Sequence, residues 1–156
     1  PLLTHTAEAA GARITAVGGG RAAEAHPLLG NRPWTEDSEV ARIHEMDIGI
    51  MPLTDTPWSR GKCGYKLIQY MACGIPVIAS PVGVNAEIVE HGENGFLASS
   101  DAEWAEALQT LFHDANLRAR MGEAGRRKVE RDYSLQLWGS RVAALLRQAA
   151  QNGMCR

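Results

Sequence analysis

Residues Tyr65 to Cys73 place Tyr65, Ile68 and Ala72 on one helical face, joined by Met71. Gly74 follows where a helix ends, and Pro76-Val77-Ile78-Ala79-Ser80 is a short apolar run. A run of that kind is a strand buried on both faces, the habit of parallel sheets. A second such run, Asp47-Ile48-Gly49-Ile50-Met51-Pro52-Leu53, precedes the helix across a loop from Thr54 to Gly64. Strand, loop, helix and strand at this spacing form a βαβ unit, because parallel neighbours need a crossover rather than a hairpin.

The rest of the chain repeats that alternation. A first helix runs up to Gly11, and Ala12 to Val17 reads as a strand running into Gly18-Gly19-Gly20. A poorly patterned stretch containing Pro27, Gly30, Pro33 and Trp34 separates it from a helix over Glu36 to Glu45, with Val40 and Ile43 inward. Ala86 to His91 reads as a short helix and Gly95 to Ala98 as a short strand. Ser100 and Glu103 have capping-box spacing, and the helix they open carries Trp104, Leu108, Leu111 and Phe112 on one stripe. Another helix spans about Ala115 to Arg131, and Ser134 caps a last one that buries Trp138, Val142, Leu145 and Leu146. The predicted fold is α/β: a Rossmann-like open parallel sheet flanked by helices, in one domain over residues 1–156.

At 156 residues, with 45% hydrophobic and 22% charged residues, the chain has material for one core without disulfides or metal. Net charge is −2 and the pI about 6.2, so no broad basic field points to nucleic acid. Cys63, Cys73 and Cys155 make an odd count with no C-x-x-C pair, which argues against a disulfide scaffold or zinc site and for a reducing, cytoplasmic setting. No apolar run approaches the roughly 18 residues that span a bilayer, and no secretory leader is visible. The chain opens inside a helical pattern, Pro1 to Ala10, which is expected of a domain truncated at its N-terminus.

In open α/β sheets, ligands bind beyond the carboxyl ends of the strands. Two loops have that position: Gly18-Gly19-Gly20 and the segment from Thr54 to Gly64. From Thr56 through Ala86 there is no Asp or Glu, whereas Arg60, Lys62 and Lys66 lie in or beside the second loop. Cations next to unpaired N–H groups at a helix entrance make a diphosphate site. A solvated basic loop has the same composition. Gly18-Gly19-Gly20-Arg21-Ala22-Ala23 matches G-x-G-x-x-A, but Pro27 cuts short the helix that a dinucleotide fingerprint requires. Glu36, Asp37 and Glu39 lie near the spacing of a ribose carboxylate, yet at a helix start and not after a strand. The reading is therefore a tight turn, ligand-bordering or purely structural. His5, His26, His44, His91 and His113 show no metal-ligand spacing, and no D-x-D pair occurs. Trp104, Phe112 and Trp138 read as core. Arg126-Arg127-Lys128 and Arg131 read as a solvated face, with peripheral contact to an anionic membrane as the alternative.

The stretch from Lys66-Leu67-Ile68-Gln69-Tyr70-Met71-Ala72-Cys73-Gly74 to Ser80, followed by Gly83-Val84-Asn85-Ala86-Glu87-Ile88-Val89 and Gly92-Glu93-Asn94-Gly95-Phe96-Leu97, resembles the C-terminal domain of retaining glycosyltransferases of family four. The resemblance covers about Trp34 to Tyr133. It implies a GT-B fold, with the active site between two Rossmann-like domains, and a nucleoside diphosphate sugar as donor. It implies no separate cofactor and no metal. Two family glutamates align with Gly61 and Gln69, so both carboxylates are replaced. The aligned positions put Lys62 and Lys66 near the phosphates, with Arg60 and Gly64 in the same loop, and Gln69 at the ribose. Gly83, Val84, Asn85 and Glu87 approach the donor sugar or diphosphate, and Gly18, Gly19 and Gly20 border the cleft. No catalytic residue is assigned. The family's diphosphate-binding Arg and Lys, and its N-terminal acceptor-binding domain, lie upstream of Pro1, so the chain alone is expected to fold and to transfer no sugar. The alternatives are a GT-B sugar-nucleotide epimerase and a non-catalytic nucleotide-sugar-binding or interaction module.

Overall fold

The computed structural model describes residues 2–9, 11–19 and 28–153. In chain order the elements are α1 (Leu2–Ala9), β1 (Ile14–Val17), β2 (Leu29–Arg32), α2 (Glu36–His44), β3 (Gly49–Met51), α3 (Pro57–Arg60) and α4 (Tyr65–Ala72). They continue as β4 (Val77–Ala79), α5 (Asn85–Ile88), β5 (Gly95–Leu97), α6 (Asp101–His113), α7 (Ala115–Asp132) and α8 (Leu135–Gly153). All pairings are parallel: β1 with β2, and β3 with β4 with β5, in two separate sheets.

The three-stranded sheet has a helix layer on each face. Val77 and Ala79 point to one face and pack with Leu67 and Met71 of α4 and Val129 of α7. Ile78 points to the other and packs with Trp104, Leu108 and Leu111 of α6 and Met121 of α7. Alternation along β4, fully buried throughout, divides the core this way. The capping box of Ser100 and Glu103 is formed and starts α6 as expected.

Several expectations are corrected. Leu29–Arg32, in the stretch without a clear pattern, is a strand; only alternate residues of this edge strand are covered, which leaves no apolar run. The Thr54–Gly64 loop contains a helical turn, α3, started by Pro57 and capped by the Thr56 side chain. The short helix predicted for Ala86–His91 occupies Asn85–Ile88 instead. Val40 is exposed while Ile43 is buried, because α2 turns its Glu39 and Ile43 edge inward. In α4 the buried residues are Leu67 and Met71, and Tyr65 and Ala72 are exposed. Trp138, Val142, Leu145 and Leu146 are 45%, 47%, 63% and 66% exposed, so the apolar stripe of α8 is present but not buried. Lys128 is not part of a solvated face: it is buried, and its ammonium donates to the Glu87 carbonyl oxygen at 3.1 Å and to Glu90 Oε1 at 2.5 Å.

Candidate functional site

The start of α4 is the geometric centre of the candidate site. Gly64, with φ +67°, turns the chain into the helix, and its neighbours are Val84, Asn85 and Ile88. Gly83 lies against the backbone of Arg60. The 60–64 and 83–88 segments, far apart in sequence, therefore meet. Leu67 and Ile68 donate their N–H groups to the Gly64 carbonyl oxygen, which leaves the earlier N–H groups at this end directed outward.

The charges are arranged differently from the sequence reading. Arg60 forms a two-pronged pair with Asp55, Nε to Oδ1 at 2.6 Å and Nη2 to Oδ2 at 2.8 Å. Asp55 lies one residue before the acid-free span begins, so this cation is already partnered. Lys66 donates to Glu39 Oε1 at 2.9 Å and Gln69 Nε2 donates to Glu39 Oε2 at 2.7 Å. Trp34 Nε1 donates to Glu39 Oε1 at 3.0 Å. Lys62 is exposed and has no ion-pair partner among the described residues. Of the three predicted cations, only Lys62 is without an ion-pair partner among the described residues.

Glu39 is the residue that sequence reasoning placed at a helix start and set aside. Its carboxyl is held below the ordinary glutamate value by the bonds from Trp34, then Lys66 and Gln69. Trp34 also touches the first predicted turn: a Cβ on Gly18 would sit 3.2 Å from Trp34 Cβ. The Gly18 turn, Trp34, Glu39, Lys66 and Gln69 are thus one connected patch. The Gln69 Oε1 atom is buried and has no hydrogen-bond partner among the described residues. Gly19 is described as irregular chain beyond β1, and Gly20 lies outside the described residues.

Two other expectations divide. Asn85 is buried and donates from Nδ2 to the Ser80 carbonyl oxygen at 3.1 Å, so its side chain holds the turn together. Glu87 is exposed at the rim beside Val84. A cavity of about 610 Å³ opens at the carboxyl ends of β1 and β3, where Val17 and Pro52 lie, and Glu39, Lys66 and Tyr70 line it. No group of three or more His, Cys, Asp or Glu among the described residues is placed to hold a metal ion. No helix among them is long and apolar enough to cross a membrane.

A family model described as Glycosyl transferases group 1 matches residues 2–114. The D-inositol 3-phosphate glycosyltransferase of Pseudarthrobacter chlorophenolicus is 31% identical over 94 residues, which is 59% of this chain and 21% of that protein. The chain therefore spans about a fifth of the length of this curated relative. Among solved structures, sucrose-phosphate synthase from Thermosynechococcus elongatus superposes with a TM-score of 0.78 at 21% identity, covering 97% of this chain and 42% of that one. Anabaena Alr3699/HepE in complex with UDP-glucose gives 0.71 at 18% identity, covering 92% and 44%. At these identities the likeness is one of fold.

Proposed function

Since this chain belongs to the glycosyl transferases group 1 family, we propose that it is the donor-binding domain of a longer retaining glycosyltransferase that moves a sugar from a nucleoside diphosphate sugar to an acceptor. The observation that carries this reading is the half-satisfied Gln69. Its amide N–H is taken by Glu39 while its Oε1 has no partner among the described residues. A ribose hydroxyl is the donor that such an acceptor lacks. Glu39, 30 residues away in the chain and at neither family position, brings a carboxylate to the same spot and offsets the replacement of the family carboxylate by an amide. A solved structure of the same fold carries UDP-glucose, which supports a nucleoside diphosphate as the ligand.

In this reading the leaving diphosphate meets the Lys62 ammonium and the outward N–H groups at the start of α4. Fixed donors of this kind stabilise charge that builds on a departing group. Gly83, Val84 and Glu87 border the sugar. Lys66 serves indirectly, by holding Glu39 in place, and Arg60 does the same for the loop through Asp55.

Isothermal titration with UDP, GDP and inorganic pyrophosphate tests the assignment. Lys62→Ala is expected to weaken the nucleoside diphosphate and pyrophosphate alike. Gln69→Leu is expected to weaken only the nucleoside diphosphate, by roughly 1–3 kcal/mol, the cost of a lost buried hydrogen bond. An equal loss for pyrophosphate in Gln69→Leu would remove Gln69 from the ribose. The chain alone is expected to bind its donor weakly, on the order of millimolar or about −4 kcal/mol, and to give no transfer product with a panel of acceptors. Rate acceleration needs donor and acceptor held together out of water, and the acceptor half belongs to the remainder of the proposed enzyme. Multiple-turnover transfer by the 156 residues would refute that division of labour.

A further inference from the structure

Among the described residues, the buried side chains with polar or charged groups are Thr6, Ser59, Ser80, Asn85, Asn94 and Lys128. Four of these six gather on the segment from Ser80 to Asn94. Ser80 Oγ accepts from the Leu53 N–H at 3.0 Å, and Asn85 Nδ2 donates to the Ser80 carbonyl oxygen at 3.1 Å. Asn94 Oδ1 accepts from the Glu90 N–H at 3.0 Å, and its Nδ2 donates to the Ile88 carbonyl oxygen at 3.3 Å. The Lys128 ammonium donates to the Glu87 carbonyl oxygen at 3.1 Å and to the Glu90 carboxylate. The segment needs this bracing: α5 is a single turn of four residues, too short to hold a helix by its own bonds. Its last two carbonyls, those of Glu87 and Ile88, are taken by Lys128 and Asn94. Of the four side chains, only Lys128 comes from another element, α7, 41 residues from Glu87. The same helix seats α4, since Gly122 lies against the Gly74 backbone and Gly125 against Met71. One helix therefore carries both the 83–88 loop and the helix whose start meets it.

We propose that Lys128 is a positioning residue for the donor sugar: it holds the 83–88 loop in place from behind without touching the ligand. The proposal rests on the donor reading, in which Gly83, Val84 and Glu87 border the sugar. Stability alone does not call for an ammonium at this place. The Lys128 side chain is 9% exposed, and withdrawing a cation from water costs more than burying an apolar chain of similar length. What the ammonium supplies is direction, because its donors fix one carbonyl and one carboxylate at once. Glu87 is the residue through which it acts. Its side chain is exposed at the rim, and its carbonyl is tied inward to α7. Removing that tie frees the end of α5 far from Gly83 and lets the rim residues leave the position a bound sugar requires. The diphosphate, held by Lys62 and the start of α4, does not depend on it.

The test compares the unmodified chain with Lys128→Met and Lys128→Arg. NMR titration with UDP and with UDP-glucose gives two affinities for each protein. Amide exchange at Ile88 and Val89, whose N–H groups close α5 onto Val84 and Asn85, reports the loop without any ligand. Methionine fills the space and removes the donors. Lys128→Met is expected to weaken UDP-glucose about tenfold, the effect of about one lost hydrogen bond. UDP should change by less than about twofold, and exchange at Ile88 and Val89 should quicken about tenfold. Lys128→Arg keeps a cation with several donors and is expected to restore both readouts. A merely stabilising lysine would give Lys128→Met a lower melting temperature and an unchanged ratio of the two affinities where the variant is folded. That ratio, or unchanged exchange, overturns the proposal, and so does an arginine variant that behaves like methionine. Absence of UDP binding by the unmodified chain counts instead against the donor reading, and the exchange comparison still decides whether Lys128 orders the loop.

Discussion

Gly122→Ala is expected to destabilise the domain by about 3 kcal/mol, the upper part of the range for overpacked sites, and to lower the melting temperature by about 10 °C at this chain length. A Cβ at Gly122 would lie 1.9 Å from the Gly74 carbonyl oxygen and 2.8 Å from the Gly74 carbonyl carbon. Both are backbone atoms of the turn that ends α4, so no side chain can swing aside, and α7 itself must move. One turn along the same face, Gly125 packs against Met71. The pair lets α7 lie close on α4 and cover Leu67 and Met71, both fully buried. The sign is informative. On an exposed helix the same change stabilises by up to about 1 kcal/mol, because alanine is the better helix former. Gly74→Ala, which meets nothing within 4 Å although φ is +73°, should cost only the left-handed strain of about 1–2 kcal/mol. Thermal unfolding of both variants checks the ranking; a neutral Gly122→Ala would mean that α7 does not rest on this turn.

Periodicity located the elements whose burial follows from their own residues. β1, β3, β4 and β5, together with α6 and α7, appear where apolar runs and stripes put them. The failures have a common cause, which is that a pattern states what a segment offers and not what covers it. The stripe of Leu145, Leu146, Trp138 and Val142 is a sound amphipathic signal, yet all four residues stay 45–66% exposed. Lys128 sits in a basic run but faces the Glu87 carbonyl and the Glu90 carboxylate, 41 and 38 residues away in the chain. The candidate site was legible in its loops and obscure in its electrostatics. Counting charges from Thr56 to Ala86 found three cations and no acid. The fold then returns Asp55 to Arg60, and brings Glu39 across 27 and 30 residues to Lys66 and Gln69. The place at a helix start that set Glu39 aside as a ribose carboxylate was correct about its helix and silent about its neighbours.

Gly64→Ala should remove nucleoside diphosphate binding and destabilise the domain by about 2–4 kcal/mol, whereas Gly61→Ala, three residues earlier, should do neither. The two glycines lie in one loop and differ in physics. At Gly64 the φ of +67° is a left-handed conformation that costs a side chain about 1–2 kcal/mol. A Cβ there would also approach Ile88 Cδ1 to 2.3 Å and Val84 Cγ2 to 3.3 Å. Ile88 is 2% exposed, so its displacement disturbs packed core, with an overpacking cost of about 1–3 kcal/mol. Relief requires the 60–64 segment to withdraw from 83–88, which separates the two loops that the proposed site needs together. At Gly61, φ is −81° and the nearest heavy atom to a Cβ is the Trp58 carbonyl oxygen at 3.5 Å, ordinary contact. Gly61 caps α3 in an ordinary right-handed conformation, so alanine fits there. Chemical unfolding gives the stability difference, and titration with UDP on the residual folded fraction gives the binding difference. Retained UDP affinity in Gly64→Ala, at a temperature where the variant is folded, would place the diphosphate away from the start of α4. Lost affinity in Gly61→Ala would show instead that the loop must bend at the position aligned with the family's first glutamate.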